Sequence, residues 1–171
     1  MRLKEEVMEM LRLGDSEGLE HMVEDNPAAV RFLQGRLWDA DPVIRNRAAI
    51  ALGAAAAAHP DLGRELLRRA LWALNDESAT NGGPMLPAIG EIGRRAPDVV
   101  APFVGPMTAY LWDDGLRHGI LDALCRIAET APELIAKNRV RLSAIEDTKI
   151  PGEQATIDSL LAVSRESVDG E

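Results

Sequence analysis

His118 and Asp122 stand four residues apart in a stretch of helical periodicity, which would place an imidazole and a carboxylate on one helix face. Such a pair can hold a metal ion or move a proton to and from a substrate. The sequence offers no third ligand nearby, and an ordinary pair on a solvated helix accounts for the two as they stand. Glu91 and Arg94, three apart, read first as surface charge, and Arg126 is within reach of Asp122 or Glu129 by the same helical rule. Cys125 is the single cysteine, so no disulfide or cysteine-based zinc site forms within one chain. With no activating histidine near it, it is expected as a buried and inert thiol. Gly82-Gly83-Pro84 lacks the following lysine and the preceding strand that a phosphate loop needs. No catalytic residue, cofactor site or metal site is therefore expected.

The composition narrows the partners. There are 28 acidic against 19 basic residues, a net charge of -9, and a field of that sign repels a nucleic-acid backbone. The densest basic stretch, Arg64, Arg68 and Arg69 around Glu65, has the spacing of a solvated helix face. Nucleic acid is thus disfavoured as a partner. Only 4% of residues are aromatic and 46% are hydrophobic, so the core must come from Leu, Ile, Val and Ala. Glu5, Glu6 and Glu9 interrupt the N-terminal segment where a secretory signal would need an apolar run, and no stretch is long enough to span a bilayer. A cytoplasmic protein without membrane contact is expected.

Two markers recur along the chain. Leu37-Trp38-Asp39, Leu74-Asn75-Asp76 and Leu111-Trp112-Asp113 follow one another at intervals of 37 residues. His59-Pro60-Asp61, Ala96-Pro97-Asp98 and Ala131-Pro132-Glu133 follow at 37 and 35, with Asn26-Pro27-Ala28 lying 33 residues earlier. Self-similarity on this scale is the signature of stacked repeats. Each unit reads as a proline, a helix of roughly four turns, an acidic turn and a second helix. The first helix of the unit opened by Pro60 carries Leu62, Leu66, Leu67, Ala70, Leu71 and Leu74 as one stripe. The second helices carry Ile44, Ala48, Ala51, Leu52 and Ala55 in one unit and Leu116, Ile120, Leu124, Ile127 and Ala131 in another.

The acidic turns, Asp39 and Asp41, Asp76 and Glu77, Asp113 and Asp114, Glu146 and Asp147, are expected chiefly to cap the helices that follow. Trp38 and Trp112 share a phase of the repeat, which predicts packing at the turn; Trp72 does not share it. Pro87 shortens the second helix of the middle unit to about 84 or 86 through 95. An N-terminal helix ends at Gly14, and a short one capped by Asp15 or Ser16 runs to about Glu24. A last helix covers about 152–165 before a frayed polar tail. His21 and His59 fall in linkers. The organisation predicted is one domain over 1–171, with an N-terminal cap at 1–26, repeats at 27–147 and a C-terminal helix and tail at 148–171.

The segment Leu37 to Ala56, LWDADPVIRNRAAIALGAAA, resembles the HEAT repeat, and in particular the HEAT-like repeat of phycobilisome lyases, in its Asp41-Pro42 turn, its Val and Arg45, and its Ala51-Leu52-Gly53 ending. The second unit has Gly82 in place of the Arg but keeps Ala88-Ile89-Gly90. The third keeps Arg117 and has Leu124-Cys125 for Leu-Gly. The resemblance implies an all-α fold, a short right-handed α-α superhelix of about three to four helical hairpins with terminal capping helices. In such repeats the first helices line the convex side and the second helices the concave side. The function implied is that of a non-enzymatic scaffold binding a protein or peptide on the concave face; the alternative is a bilin-lyase-like enzyme or subunit acting on a chromophore or protein substrate. Opposite the core stripes lie Asn46, Ile50, Ala54 and Ala57, then Gly83, Pro87, Glu91 and Arg94, then His118, Asp122, Arg126 and Glu129. The partner-binding residues expected among them are Asn46, Ile50, Glu91, Arg94, His118, Asp122, Arg126 and Glu129.

Overall fold

The computed structural model describes residues 2–75, 82–145, 148 and 150–169. Helix α1 (Leu3–Leu13) stops at Gly14, whose φ of 76° favours a residue without a side chain. Asp15 accepts from the Gly18 amide and starts α2 (Ser16–Asp25). A 3₁₀ turn at Pro27–Ala29 leads into α3 (Val30–Arg36). Asp41 caps α4 (Pro42–Ala58) by accepting from the Val43 amide at 2.8 Å, and Pro42 takes the first helical position, where a missing N–H costs nothing. Pro60 opens α5 (Pro60–Leu74) in the same way. After a 3₁₀ turn at Gly83–Met85 come α6 (Leu86–Arg95), α7 (Pro97–Thr108) and α8 (Asp114–Ala128). Asp113 caps α8 from the position that Asp41 holds before α4. The chain then makes α9 (Pro132–Ala136), α10 (Arg139–Ser143) and α11 (Glu153–Asp169). No strand occurs among the described residues. Asp76, Glu77, Glu146 and Asp147 of the expected acidic turns lie outside them.

Packing follows chain order. α2 lies on α4, α4 on α6, α6 on α8, and α8 on α11, while α4 also packs on α3 and α5, α6 on α7, and α8 on α9. The buried apolar residues, from Val7 to Leu160, form one cluster. Two glycines set how closely the successive second helices approach. A Cβ on Gly53 would sit 2.8 Å from the Glu91 carbonyl oxygen, and one on Gly90 would sit 3.1 Å from the Ala123 Cα. These two glycines are one repeat step of 37 residues apart, so the same close approach recurs from α4 on α6 to α6 on α8.

Four side-chain hydrogen bonds between distant parts of the chain carry nearly the same period, while Arg95 to Glu20 spans 75 residues and Thr108 to Asn138 spans 30. Arg47 donates to Leu11 O at 2.7 Å, Arg126 to Glu91, Tyr110 to Asn75 at 3.0 Å, and Arg141 to Gly105 O, across 36, 35, 35 and 36 residues. His59 meets both Val23 O and Glu24 O at 3.0 Å, so its Nε2 must carry the proton. Arg47 and His59 thereby satisfy the last carbonyls of α1 and α2, groups that a helix cannot pair internally.

Several expectations need correction. Of the first helices only α5 has four full turns. α7 holds Pro102 and Pro106 in its interior. The helix after Pro132 breaks at Lys137 and Asn138, because the Asn138 side chain donates to Leu134 O, the carbonyl its own amide would use in a continuous helix. Ala54, placed by periodicity on the open face, is buried, since α4 has neighbours on nearly every side. The last helix runs to Asp169, not Arg165. His21 lies inside α2, and His59 joins α4 to α5. Trp38 and Trp112 do not pack into the turns: they are 48% and 75% exposed, and Trp72 is 76% exposed.

Candidate partner-binding face

The face in question is built from α4, α6 and α8. At its centre Glu91 is 1% exposed and is held between two guanidinium groups. Arg94, one turn on in α6, donates to Oε2 at 2.8 Å from Nη2 and 3.1 Å from Nε. Arg126 of α8 donates from Nη1 to Oε1. The expectation of a surface charge at Glu91 is thus corrected, as is the pairing of Arg126 with Asp122 or Glu129. The physical reason is Gly53. Because it brings α4 against the Glu91 backbone, the side chain of Glu91 is roofed over and its charge must be answered from within. Hydrogen bonding to Glu91, then its charge, raises the Arg94 guanidinium above its ordinary value, with smaller contributions from Glu129 and Glu20.

The other expected residues are spread around this cluster. Asn46, His118, Asp122 and Glu129 are exposed, and Ile50 is half-buried. His118 Nε2 and Asp122 Oδ2 are 3.6 Å apart on the open side of α8. No group of three or more potential metal ligands occurs among the described residues. Cys125 is half-buried, not fully enclosed, and its thiol is raised above the ordinary value by burial first, then by the charges of Asp122 and Glu129.

A cleft of about 450 Å³ opens beside the cluster, lined by Leu37, Trp38, Asp39, Pro42, Arg45, Asn46, Pro84, Pro87 and Arg126. Of the expected residues it gathers only Asn46 and Arg126; His118, Asp122, Glu129 and Ile50 do not line it. Sequence reasoning missed Trp38, Pro84 and Arg45 as parts of a recess. The signal available was the shared phase of Trp38 and Trp112, which marks a recurring place in the repeat without saying whether the ring points in or out.

Arg45 shows how the turn beside the cleft is fixed. Its Nη1 donates to Asp39 O at 2.7 Å and to Ala40 O at 3.2 Å, six and five residues back. Arg117 repeats this, donating to Leu111 O at 2.7 Å and Trp112 O at 3.2 Å, again six and five residues back. Arg45 and Arg117, 72 residues apart and each at the Arg position of its unit, thus share one structural task. No family model, curated protein or solved structure matches the chain. What the face can do is decided by its residues.

Proposed function

We propose that this chain is a non-enzymatic interaction module, a short HEAT-like right-handed superhelix whose second helices α4, α6 and α8 form a concave surface for a protein partner. The repeat-step hydrogen bonds and the recurring glycine contacts support this architecture, since in stacked repeats each unit touches mainly its neighbours. The observation that carries the function is the cleft. Its wall takes Trp38 and Asn46 from one unit, Pro84 and Pro87 from the next and Arg126 from the third, so a single occupant would be read by three units at once.

The test uses exposed residues, because changing Glu91, Arg94 or Arg126 would disturb the buried ion cluster. The protein would be immobilised and used to capture partners from extract of the native source, beside a variant carrying Trp38→Ala and Asn46→Glu on the cleft wall together with His118→Ala, Asp122→Lys and Glu129→Lys on the face around it. Both should give the same helical circular dichroism, and the variant should lose the partner retained by the parent. Equal capture by the two would refute the assignment of this face. A coloured adduct on mixing with a bilin would favour the lyase-like alternative instead.

A further inference from the structure

We infer that the cleft beside Trp38 takes an acidic peptide segment, one carboxylate next to an apolar side chain, from a partner protein; this rests on the interaction reading above and names the chemistry of its occupant. The charge arrangement is the reason. Among the described residues the cleft contains one acid, Asp39, and both of its oxygens are committed: Oδ2 accepts from Arg36 at 3.3 Å and Oδ1 from the Asp41 amide at 3.1 Å. Its two cations are not fully used. Arg45 spends Nη1 on turn carbonyls and Arg126 spends Nη1 on Glu91, leaving each guanidinium an edge without a protein partner among the described residues. Arg126 keeps 36% of its side chain exposed. A guanidinium edge is a two-pronged donor suited to a carboxylate.

Between these edges the wall is apolar. Trp38 and the rings of Pro42, Pro84 and Pro87 line it, and a half-exposed indole gives a rigid contact surface at small entropic cost. The volume is within the roughly 300–1,000 Å³ of sites that take small ligands or a few side chains. The chain as a whole carries -9, which opposes an acidic partner at long range. Screening confines that opposition to about 8 Å at physiological ionic strength, so the two local guanidinium groups govern binding once contact is made.

The experiment is a selection of random linear peptides displayed on phage against the full-length protein, followed by titration of the synthetic winner. The expected winners carry Asp or Glu beside an aliphatic or aromatic residue. Asn46 is exposed on the cleft wall and tolerates either charge, so Asn46→Glu should weaken the winner about tenfold, as a new like charge nearby requires, and Asn46→Lys should strengthen it. Trp38→Ala should weaken it as well. Basic or compositionally unbiased winners, no winners at all, or winners indifferent to Asn46 and Trp38 would overturn the inference. Winners that ignore those two positions but are lost with His118→Ala, Asp122→Lys and Glu129→Lys would leave the concave-face reading standing while removing the cleft from it.

Discussion

Arg126 of α8 donates to the carboxylate of Glu91 on α6, and that carboxylate, 1% exposed, is the pin between two consecutive units. A buried charge of this kind is weak evidence of net stabilisation, because the desolvation of both groups offsets their attraction. Its removal is another matter. Glu91→Ala leaves Arg94 and Arg126 without their acceptor. Breaking a buried pair costs about 3–5 kcal/mol, and both arginines are one-third exposed, so a discounted loss of about 2–3 kcal/mol is expected. At roughly 2–4 °C per kcal/mol for a domain of this size, thermal unfolding should fall by about 4–12 °C. The triple variant Glu91→Leu with Arg94→Met and Arg126→Met should recover most of that loss, since a matched apolar cluster avoids the desolvation cost and strands neither guanidinium. Failure of the triple variant to recover would mean that the ion cluster sets the packing geometry itself.

The glycine contacts predict opposite signs for one chemical change. Gly53→Ala places a methyl 2.8 Å from the Glu91 carbonyl oxygen, a backbone atom that cannot turn aside. Overpacking of about 1–3 kcal/mol should exceed the helix-propensity gain of about 1 kcal/mol, so unfolding should come earlier. At Gly35, in α3, an added methyl would meet nothing within 4 Å, so Gly35→Ala should stabilise by about 0.5 kcal/mol. Urea denaturation of the two variants checks both signs.

What could be read from sequence was local and repeated. Asp41 and Asp113, Arg45 and Arg117, and Gly53 and Gly90 each recur in phase, and each pair has one task in the structure. The burial of Glu91 was not legible, because it needs α4 to approach from one side and Arg126 to arrive from the other. Nor was the break at Asn138, which depends on one side-chain amide taking the Leu134 carbonyl. The cleft escaped for a similar reason. Its members come from three units, and periodicity within one helix says nothing of a recess between several.

Cys125 offers a pH test. Its thiol is raised by burial, with Asp122 and Glu129 adding to the effect, so the folded protein holds the proton more tightly than the unfolded chain. The linkage sign follows: stability is unaffected while the thiol is protonated in both states and declines as pH rises through the unfolded thiol's value toward the folded one. Alkylation by iodoacetamide needs the thiolate, so its rate should rise with a midpoint above the roughly 8.5 of a free cysteine. Asp122→Asn with Glu129→Gln should lower that midpoint only in part, because burial is the first cause. A midpoint at or below that of free cysteine would contradict the assignment.

Arg45 and Arg117 hold equivalent turns, yet their loss should not cost the same. Arg45 is half-buried and gives up two hydrogen bonds to carbonyls, so Arg45→Met should cost about 1–2 kcal/mol. Arg117 also meets Asp114 at 2.6 Å and the fully enclosed carboxylate of Glu153 at 3.5 Å, and Glu153 has no hydrogen-bond donor for either oxygen among the described residues. Arg117→Met strands that carboxylate at the start of α11 and should cost about 3–5 kcal/mol. Hydrogen exchange separates the two effects. With Arg117→Met the amides of α11 should lose protection before those of α4 and α6, whereas Arg45→Met should leave α11 unchanged; equal loosening across the chain would show that Glu153 does not anchor the last helix.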